Sequence, residues 1–519
     1  VDVKAVDAQH NERDAVAGAE HGLGVQLVGQ ADAGREVIPV AFPQAARAAS
    51  HPDKLEPAHG FETCHRHFGD GRLGVVGQRG LWKGDRNNFA PRVGLAYQLN
   101  SKTVLRSGYG VFFDVLGIDR FDVNQGGFSQ TTNLIPSLDN GITFRATLSN
   151  PFPDGLQVPA GASAGIATYL GRGISFFHDK PLNPYMQRWS FSIQRELPWR
   201  VLIEPAYVGN RGTKLAVSRE LNPVPRQYLS TSPERDQATI DYLSFQVTNP
   251  FFGLPEFEGT GLSSQRVARS QLLRPYPQFQ GISASYPNGY SYFHSLQVGV
   301  EKRLSSGVNF QMAWTWSKFM EAASYLNATD PLPYKVISDQ DNTHRFVFSG
   351  IYEFPFGKGK QWGSTAPWWL DFWIGGWQLQ GWFEGQSGDT LGFGNAIFRG
   401  NLKDIPLPVS QRLTERWFNV DAGFERDNRK ALASNIQTFP PRFSGVRADG
   451  INNFDLSLFK HFRIRERLKA QFRLESFNAL NHVQFAAPNT TPTSTAFGTI
   501  TGEFGHGQRQ ITLAIKLIF

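Results

Sequence analysis

Two segments of the chain carry side chains that could bind a metal ion. Nitrogen and sulfur ligands for zinc occur together near residue 60, at His59, Cys64, His65 and His67. Their spacing fits no common zinc module, and the surrounding sequence is rich in Ala and lacks any pattern. Asp339-Gln340-Asp341, followed by His344, resembles a calcium loop but lacks the Gly at loop position 6, which favours the polar end of a strand. The sequence therefore predicts no metal site.

The motifs that mark common enzymes are missing from the sequence. There is no Gly-x-Ser-x-Gly elbow, Walker loop, His-Glu-x-x-His pair or dinucleotide fingerprint. Gly357-Lys358-Gly359-Lys360 lacks the spacing and the Ser or Thr of a phosphate loop. We expect a protein that is not an enzyme, with no catalytic residues and no cofactor. The residues that bind a ligand are not marked by any fixed spacing and stay unknown.

Composition excludes several further classes. The single cysteine excludes a disulfide scaffold, and the net charge of +7 over 519 residues forms no Lys/Arg block of the kind that binds nucleic acid. No stretch approaches the roughly 18 apolar residues of a membrane-spanning helix. Transmembrane strands remain possible, because about 10 residues of alternating polarity leave the average hydropathy unremarkable.

The chain divides near residue 86. All 14 Tyr lie at Tyr97 or later, whereas residues 1–85 are rich in Ala, Gly and His and show no helical or strand period. We leave 1–85 unassigned and expect a disordered segment, or one produced by out-of-frame translation. The chain opens on Val1, which suggests a processed chain or a fragment whose export signal lies upstream.

From residue 87 onward apolar and polar residues alternate with a period of two, which is typical of strands. Eleven strands are predicted: 89–98, 103–113, 188–196, 201–207, 295–303, 309–317, 346–354, 377–383, 453–462, 468–475 and 510–519. Short turns, such as 355–359 and 463–467, separate some of them. Long stretches rich in Gly, Pro and Asn separate the others: 114–185, 209–290, 320–343, 387–451 and 480–508. Short turns on one side and long loops on the other are typical of an antiparallel transmembrane β-barrel.

The alternation assigns each strand an outward and an inward face. The side expected to face lipid includes Trp189, Phe191, Leu296, Val298, Phe310, Trp314, Phe472 and Leu474. The side expected to face the lumen includes Arg92, Arg106, Arg188, Glu196, Glu204, Glu301, Arg303, Glu384, Asp455, Arg473 and Glu475. Charges in these positions need water or a polar plug, which predicts a wide barrel. Eleven strands would close through a parallel seam, so further strands are expected upstream.

Two alternatives stay open at this stage. A soluble β-sandwich or propeller also has alternating strands. Against it, four Trp at 368, 369, 373 and 377 cluster at one strand end, as an aromatic girdle at a membrane interface would. The same cluster could instead stack on sugars, although it lies beside a short turn that would face the periplasm.

Residues 86–519 resemble the carboxy-terminal barrel half of TonB-dependent outer-membrane receptors. The similarity is to the Oar-like branch, which carries an amino-terminal carboxypeptidase-regulatory-like domain. The segments that carry it are 85–92, 183–185, 187–190, 206–212, Trp-Thr-Trp-Ser-Lys at 314–318, 341–345, 352–358, 449–455 and 475–485. The resemblance implies the second half of a barrel of about 22 strands. Family members also have a plug and a TonB box, and neither is visible in 1–85.

The resemblance implies an outer-membrane transporter that takes up an unidentified ligand, present here without its plug. Its implied partners are outer-membrane lipid, the TonB complex in the full-length parent and an unknown extracellular ligand. The terminal strand, which ends on Phe519, looks like the signal read by the barrel-assembly machinery. A passive porin is the first alternative function, and a surface adhesin or structural protein that uses the long loops is the second.

Overall fold

The structure is a computed structural model of the chain. The structure describes residues 38–42, 85, 87–114, 131–139, 141–159, 161, 163–176, 181–464, 468–503 and 507–518. The expectations for the rest of 1–85, for the middle of the turn at 463–467 and for Phe519 therefore lie outside the described residues.

Sixteen strands are present in the described part of the chain. They are β1 (Ile38–Phe42), β2 (Arg92–Asn100), β3 (Thr103–Phe113), β4 (Ile174–Phe176), β5 (Tyr185–Leu197), β6 (Val201–Glu220), β7 (Gln246–Thr248), β8 (Arg266–Ala268), β9 (Ile282–Ser305), β10 (Val308–Ala322), β11 (Val336–Ile337), β12 (His344–Glu353), β13 (Trp377–Gln386), β14 (Ile451–Arg463), β15 (Lys469–Phe477) and β16 (Gln510–Ile518).

Fourteen of these strands form one sheet. Its path runs β1-β2-β3-β5-β6-β9-β10-β12-β13-β14-β15-β16, and every neighbouring pair on the path is antiparallel. β11 and β4 add to β10 and β9 from the side, and β7 pairs with β8 in a separate small sheet. The path from β2 to β16 contains the eleven predicted strands in the predicted order, so the antiparallel all-β prediction is confirmed.

Three strands are longer than predicted by six residues or more, and the expected loop bounds 209–290 and 320–343 are wrong at their ends. β6 continues to Glu220 over 20 residues, β9 begins at Ile282 and has 24 residues, and β10 continues to Ala322. At roughly 3.3 Å per residue, β9 extends over about 80 Å. A membrane barrel has an apolar band of only about 25 Å, so the strands project far beyond it, where alternation of polarity is not required.

Short helices occupy the connections. They are α1 (Gln237–Ser244), α2 (Arg269–Leu272) and α3 (Trp368–Ile374). The expected tight turn at 355–359 is wrong in extent, because the link from β12 to β13 includes α3. Within the described ranges, no helix is long and apolar enough to cross a membrane.

The main hydrophobic cluster of the chain lies in the long loops. Its buried members are Leu391, Phe393, Ile405, Trp417, Phe418, Phe424, Phe439, Val446 and Phe497. All but one of them belong to the connection between β13 and β14, and Phe497 comes from the connection between β15 and β16. The two loops therefore share one folded core, which we call the loop domain.

Candidate functional site

The pairing register places the eight predicted lipid-facing residues on one side of the main sheet. Trp189 is opposite Gly209, Phe191 is opposite Tyr207, and Tyr207 is opposite Leu296. The same side continues through the pairs Val298 with Trp314, Met312 with Phe348 and Leu458 with Leu474. None of the eight residues belongs to the buried cluster of the loop domain. The eight side chains therefore share one face of the sheet, as the sequence predicts, and this is the face expected to meet lipid.

The opposite side of the sheet carries the eleven predicted lumen charges. Glu204 pairs with Gly299, which pairs with Ala313, and Glu384 pairs with Val347 on the same side. Arg345 and Glu384 form an ion pair at 3.0 Å on this side. One face of the sheet is thus apolar and aromatic, and the other is charged.

A recess of about 320 Å³ opens on the charged side between β5, β6, β9, β10 and β12. Gln194, Glu204, Glu301, Gln311 and Ser349 contribute to its lining. The Glu204 carboxylate accepts hydrogen bonds from the Ser192 hydroxyl at 2.8 Å and from the Gln194 amide at 3.3 Å. This part of the wall can hydrogen-bond a polar chain segment or solute in the lumen.

A buried ion pair fixes the loop domain to the end of β10. Asp341 is fully buried, and its carboxylate lies 2.5 Å from the Arg447 guanidinium. The same carboxylate accepts the backbone N–H of Phe319 on β10. Arg447 also donates to the carbonyl oxygens of Asp341 and Gly388 and to the Thr343 hydroxyl. The Asp341 carboxylate is therefore paired with the charge of Arg447, which agrees with the interpretation of 339–341 as the polar end of a strand.

A second charged contact joins the same two regions. Arg442 of the loop domain donates to the Glu321 carboxylate on β10 at 2.6 Å and to the Ile337 carbonyl oxygen at 3.0 Å. Arg399 joins the loop domain to Glu234, just ahead of α1, at 2.8 Å. The long connections form one interlinked structure over one end of the sheet.

Several loop carboxylates have lowered pKa values because hydrogen bonds favour their charged form. Hydrogen bonds from Ser137 and from Thr143 lower the pKa of Asp139 to about 2. Asp236 caps α1 by accepting from the hydroxyl and the backbone N–H of Thr239, and these bonds lower its pKa. A hydrogen bond from the backbone N–H of Asp427 lowers the pKa of Glu425, and the neighbouring Lys430 lowers it further. These carboxylates therefore hold the loop backbone through local bonds.

Sequence reasoning missed the loop domain. It describes 387–451 and 480–508 as Gly/Pro/Asn-rich stretches, yet they contain a network of contacting rings. Phe393 alone has ring centroids of five other Phe within 6.2 Å: Phe418, Phe424, Phe439, Phe443 and Phe497. The density of Phe in these stretches was the available signal. Among the described residues, no group of three or more His, Cys, Asp or Glu is placed to hold a metal ion.

A single antiparallel sheet with an apolar face, a charged face and all its long connections at one end defines the wall of a membrane β-barrel. The chain belongs to the outer membrane beta-barrel domain family, whose model matches residues 45–512. Its location is accordingly the outer membrane. No curated protein sequence matches the chain.

Solved structures of outer-membrane proteins are similar to the chain at low identity. The outer membrane transporter YddB from Escherichia coli is 11% identical, with a TM-score of 0.38, over 83% of this chain and 40% of that one. The FrpB iron transporter from Neisseria meningitidis is 8% identical, with a TM-score of 0.34, over 82% of this chain and 39% of that one. The ferripyoverdine receptor of the outer membrane of Pseudomonas aeruginosa is 13% identical, with a TM-score of 0.35, over 83% of this chain and 33% of that one. The chain thus spans less than half the length of each.

Proposed function

We propose that the chain forms barrel wall in a TonB-dependent outer-membrane receptor of the Oar-like branch, and that the complete protein takes up an extracellular ligand. The observation that carries the proposal is the charged inner face, which runs from Arg92 on β2 to Glu475 on β15. Such a face needs water or a polar plug beside it. The assignment to this receptor family rests on the similar sequence segments given under the sequence analysis, and the ligand stays unidentified.

The open edges of the sheet support a larger barrel. Within the described residues, β1 and β16 each pair with one strand only. A strand in lipid must pair on both sides, because unpaired N–H and C=O groups are costly there. We infer that the wall from β2 to β16 is the second half of a barrel of about 22 strands.

The proposal is tested on the full-length parent in lipid nanodiscs and in planar bilayers. We expect the purified carboxy-terminal domain of TonB to bind the parent, and we expect the parent to carry no steady ion current. A steady current without TonB binding would assign a passive porin instead. The adhesin alternative is tested by grafting the long loops onto an unrelated barrel. If cells that display this hybrid attach as well as cells with the parent, the protein is an adhesin instead.

We also propose that the barrel-assembly machinery recognises the terminal strand. β16 presents Ile511, Leu513, Ile515 and Leu517 on one exposed side, and the chain ends on Phe519. Deletion of Phe519 from the parent should lower the amount of heat-modifiable barrel in outer-membrane fractions far more than a loop substitution such as Lys403→Gln. Equal amounts from both variants would reject this partner.

A further inference from the structure

The outward face of the sheet changes character near its loop end. In the middle of the face, cross-strand rows are apolar, as in the row of Val298 with Trp314. His294 on β9 pairs with Lys318 on β10 two rows nearer the loops, and Arg211 on β6 pairs with Tyr292 on β9 in the row after that. Cations therefore appear on the lipid side at the height where the apolar band ends.

A third cation joins this group from outside the strands. Lys335 precedes β11, and its ammonium lies 4.8 Å from the centroid of the Tyr292 ring. Arg211, Lys318 and Lys335 are all exposed. Within the described part of the chain, the side chains of Arg211 and Lys318 make no hydrogen bond or ion pair. We call Arg211, Tyr292, His294, Lys318 and Lys335 the rim patch.

The spacing of the rim patch suits a phosphate group. Arg211 and Lys318 are on the strands that flank β9, and they lie opposite Tyr292 and His294, so their backbones are about 12 Å apart. Both side chains are long enough to reach a tetrahedral anion placed over Tyr292, between them. Arg and Lys are the usual binders of phosphate in proteins.

A chain of hydrogen bonds prepares His294 as a donor. The Trp189 indole N–H donates to the Tyr207 hydroxyl oxygen at 3.4 Å, and that hydroxyl lies 2.7 Å from His294 Nδ1. Because an indole can only donate, the Tyr207 proton is available to Nδ1. Acceptance of the Tyr207 proton by Nδ1 corresponds to the tautomer in which Nε2 carries the ring proton and can donate to an anion.

The charge of the face is of one sign. On the outward positions of β6 up to Thr213, and on the β9 and β10 positions paired with them, no residue is Asp or Glu. The cations at the opposite end have partners of their own, since Lys302 donates to the Trp199 carbonyl oxygen at 2.7 Å and Lys460 donates to that of Gly375. The side chains of Arg211 and Lys318, in contrast, have no such partner within the described residues, and they lie beside an aromatic belt of Trp189, Tyr207 and Trp316.

We propose that the rim patch binds the phosphate group of an anionic lipid in the outer leaflet. The long loops of such barrels are extracellular, so this end of the sheet meets the outer leaflet. The lipid chains would lie along the apolar rows below, and the phosphate would sit at the headgroup level, where aromatic belts are found. The proposal needs the outer-membrane location but not transport.

The test uses the full-length parent in phosphatidylcholine nanodiscs doped with phosphatidic acid, with retained lipids counted by native mass spectrometry. The variant Arg211→Gln/Lys318→Gln/Lys335→Gln should retain phosphatidic acid about tenfold less than the unmodified chain, since several charge-assisted hydrogen bonds are lost. The control Arg195→Gln/Lys403→Gln, which removes one outward and one loop cation elsewhere, should retain it fully. Equal retention by the triple variant would overturn the proposal.

Two further arms sharpen the result. Complete displacement of the lipid by inorganic phosphate at low concentration would mean that the patch takes a free anion, which overturns the lipid assignment. Heat-modifiable migration on gels reports folding independently of lipid. If the triple variant does not fold, Lys318→Gln alone is compared with Lys403→Gln, and equal retention by these two variants would overturn the proposal as well.

Discussion

Replacing Asp341 by Asn should weaken the attachment of the loop domain to β10 while leaving the barrel intact. The change keeps the shape of the side chain but removes the charge that faces Arg447 at 2.5 Å. Breaking a buried ion pair by removing one partner costs about 3–5 kcal/mol. Arg447 keeps the carbonyl oxygens of Asp341 and Gly388 and the Thr343 hydroxyl as acceptors, so the lower end of the range, about 3 kcal/mol, is expected.

Hydrogen–deuterium exchange measures this change locally. The amides of Leu391 and Ala448 are protected by the carbonyl oxygens of Val446 and Asp389, close to Arg447. A loss of about 3 kcal/mol should speed their exchange about 100-fold when opening is in rapid equilibrium.

The matched control is Asp339→Asn. Asp339 is two residues away, is 58% exposed and lies 3.8 Å from Arg442, so its removal should cost less than about 1 kcal/mol. If Asp341→Asn accelerates exchange no more than Asp339→Asn does, the ion pair does not hold the loop domain and the reasoning fails.

Three further outcomes are expected. Phe418→Ala should destabilise the loop domain by about 3–5 kcal/mol, because the ring is fully buried, and limited proteolysis should then cut the loops while gel migration of the barrel is unchanged. Trp368→Ser/Trp373→Ser should reduce quenching of Trp fluorescence by brominated lipid, since both rings are exposed on α3; unchanged quenching would place α3 away from the interface. The lowered pKa of Asp139 means that its contribution to ordering 137–139 and 141–143 is complete above the usual pKa of 3.8 and is lost as the pH falls through about 2. A carboxyl ¹³C titration that gives 3.8 for Asp139 would contradict this.

The transmembrane part of the fold could be predicted because lipid acts on each strand locally. A strand such as β10 must present Phe310, Met312 and Trp314 to one solvent and Gln311 and Thr315 to another, so a window of ten residues carries the whole signal. The same argument fails beyond the bilayer. The extension of β6 to Glu220 includes register shifts at Leu215, and its polarity no longer alternates with a period of two.

The loop domain could not be predicted for a different reason. Its contacts join residues far apart in the chain, such as Arg447 with Asp341, which are separated by 106 positions. No local period marks such a contact, because the sequence around an Arg that forms a buried ion pair does not differ from that around an exposed Arg. The ring network around Phe393 gives a weak hint through composition alone, because it does not say which rings meet.

The two parts of the molecule draw their stability from different sources, and this explains how their sequences differ. The sheet is held by its hydrogen-bonded ladder and by a solvent that accepts exposed Trp and Phe, so it needs no interior packing. The loop domain lies beyond the apolar band, and it must bury its own rings around Phe418 to fold at all. Asp341 with Arg447, and Glu321 with Arg442, then connect two units that could otherwise vary independently. The outer surface of the loops can therefore vary, provided that this core and these two ion pairs are kept.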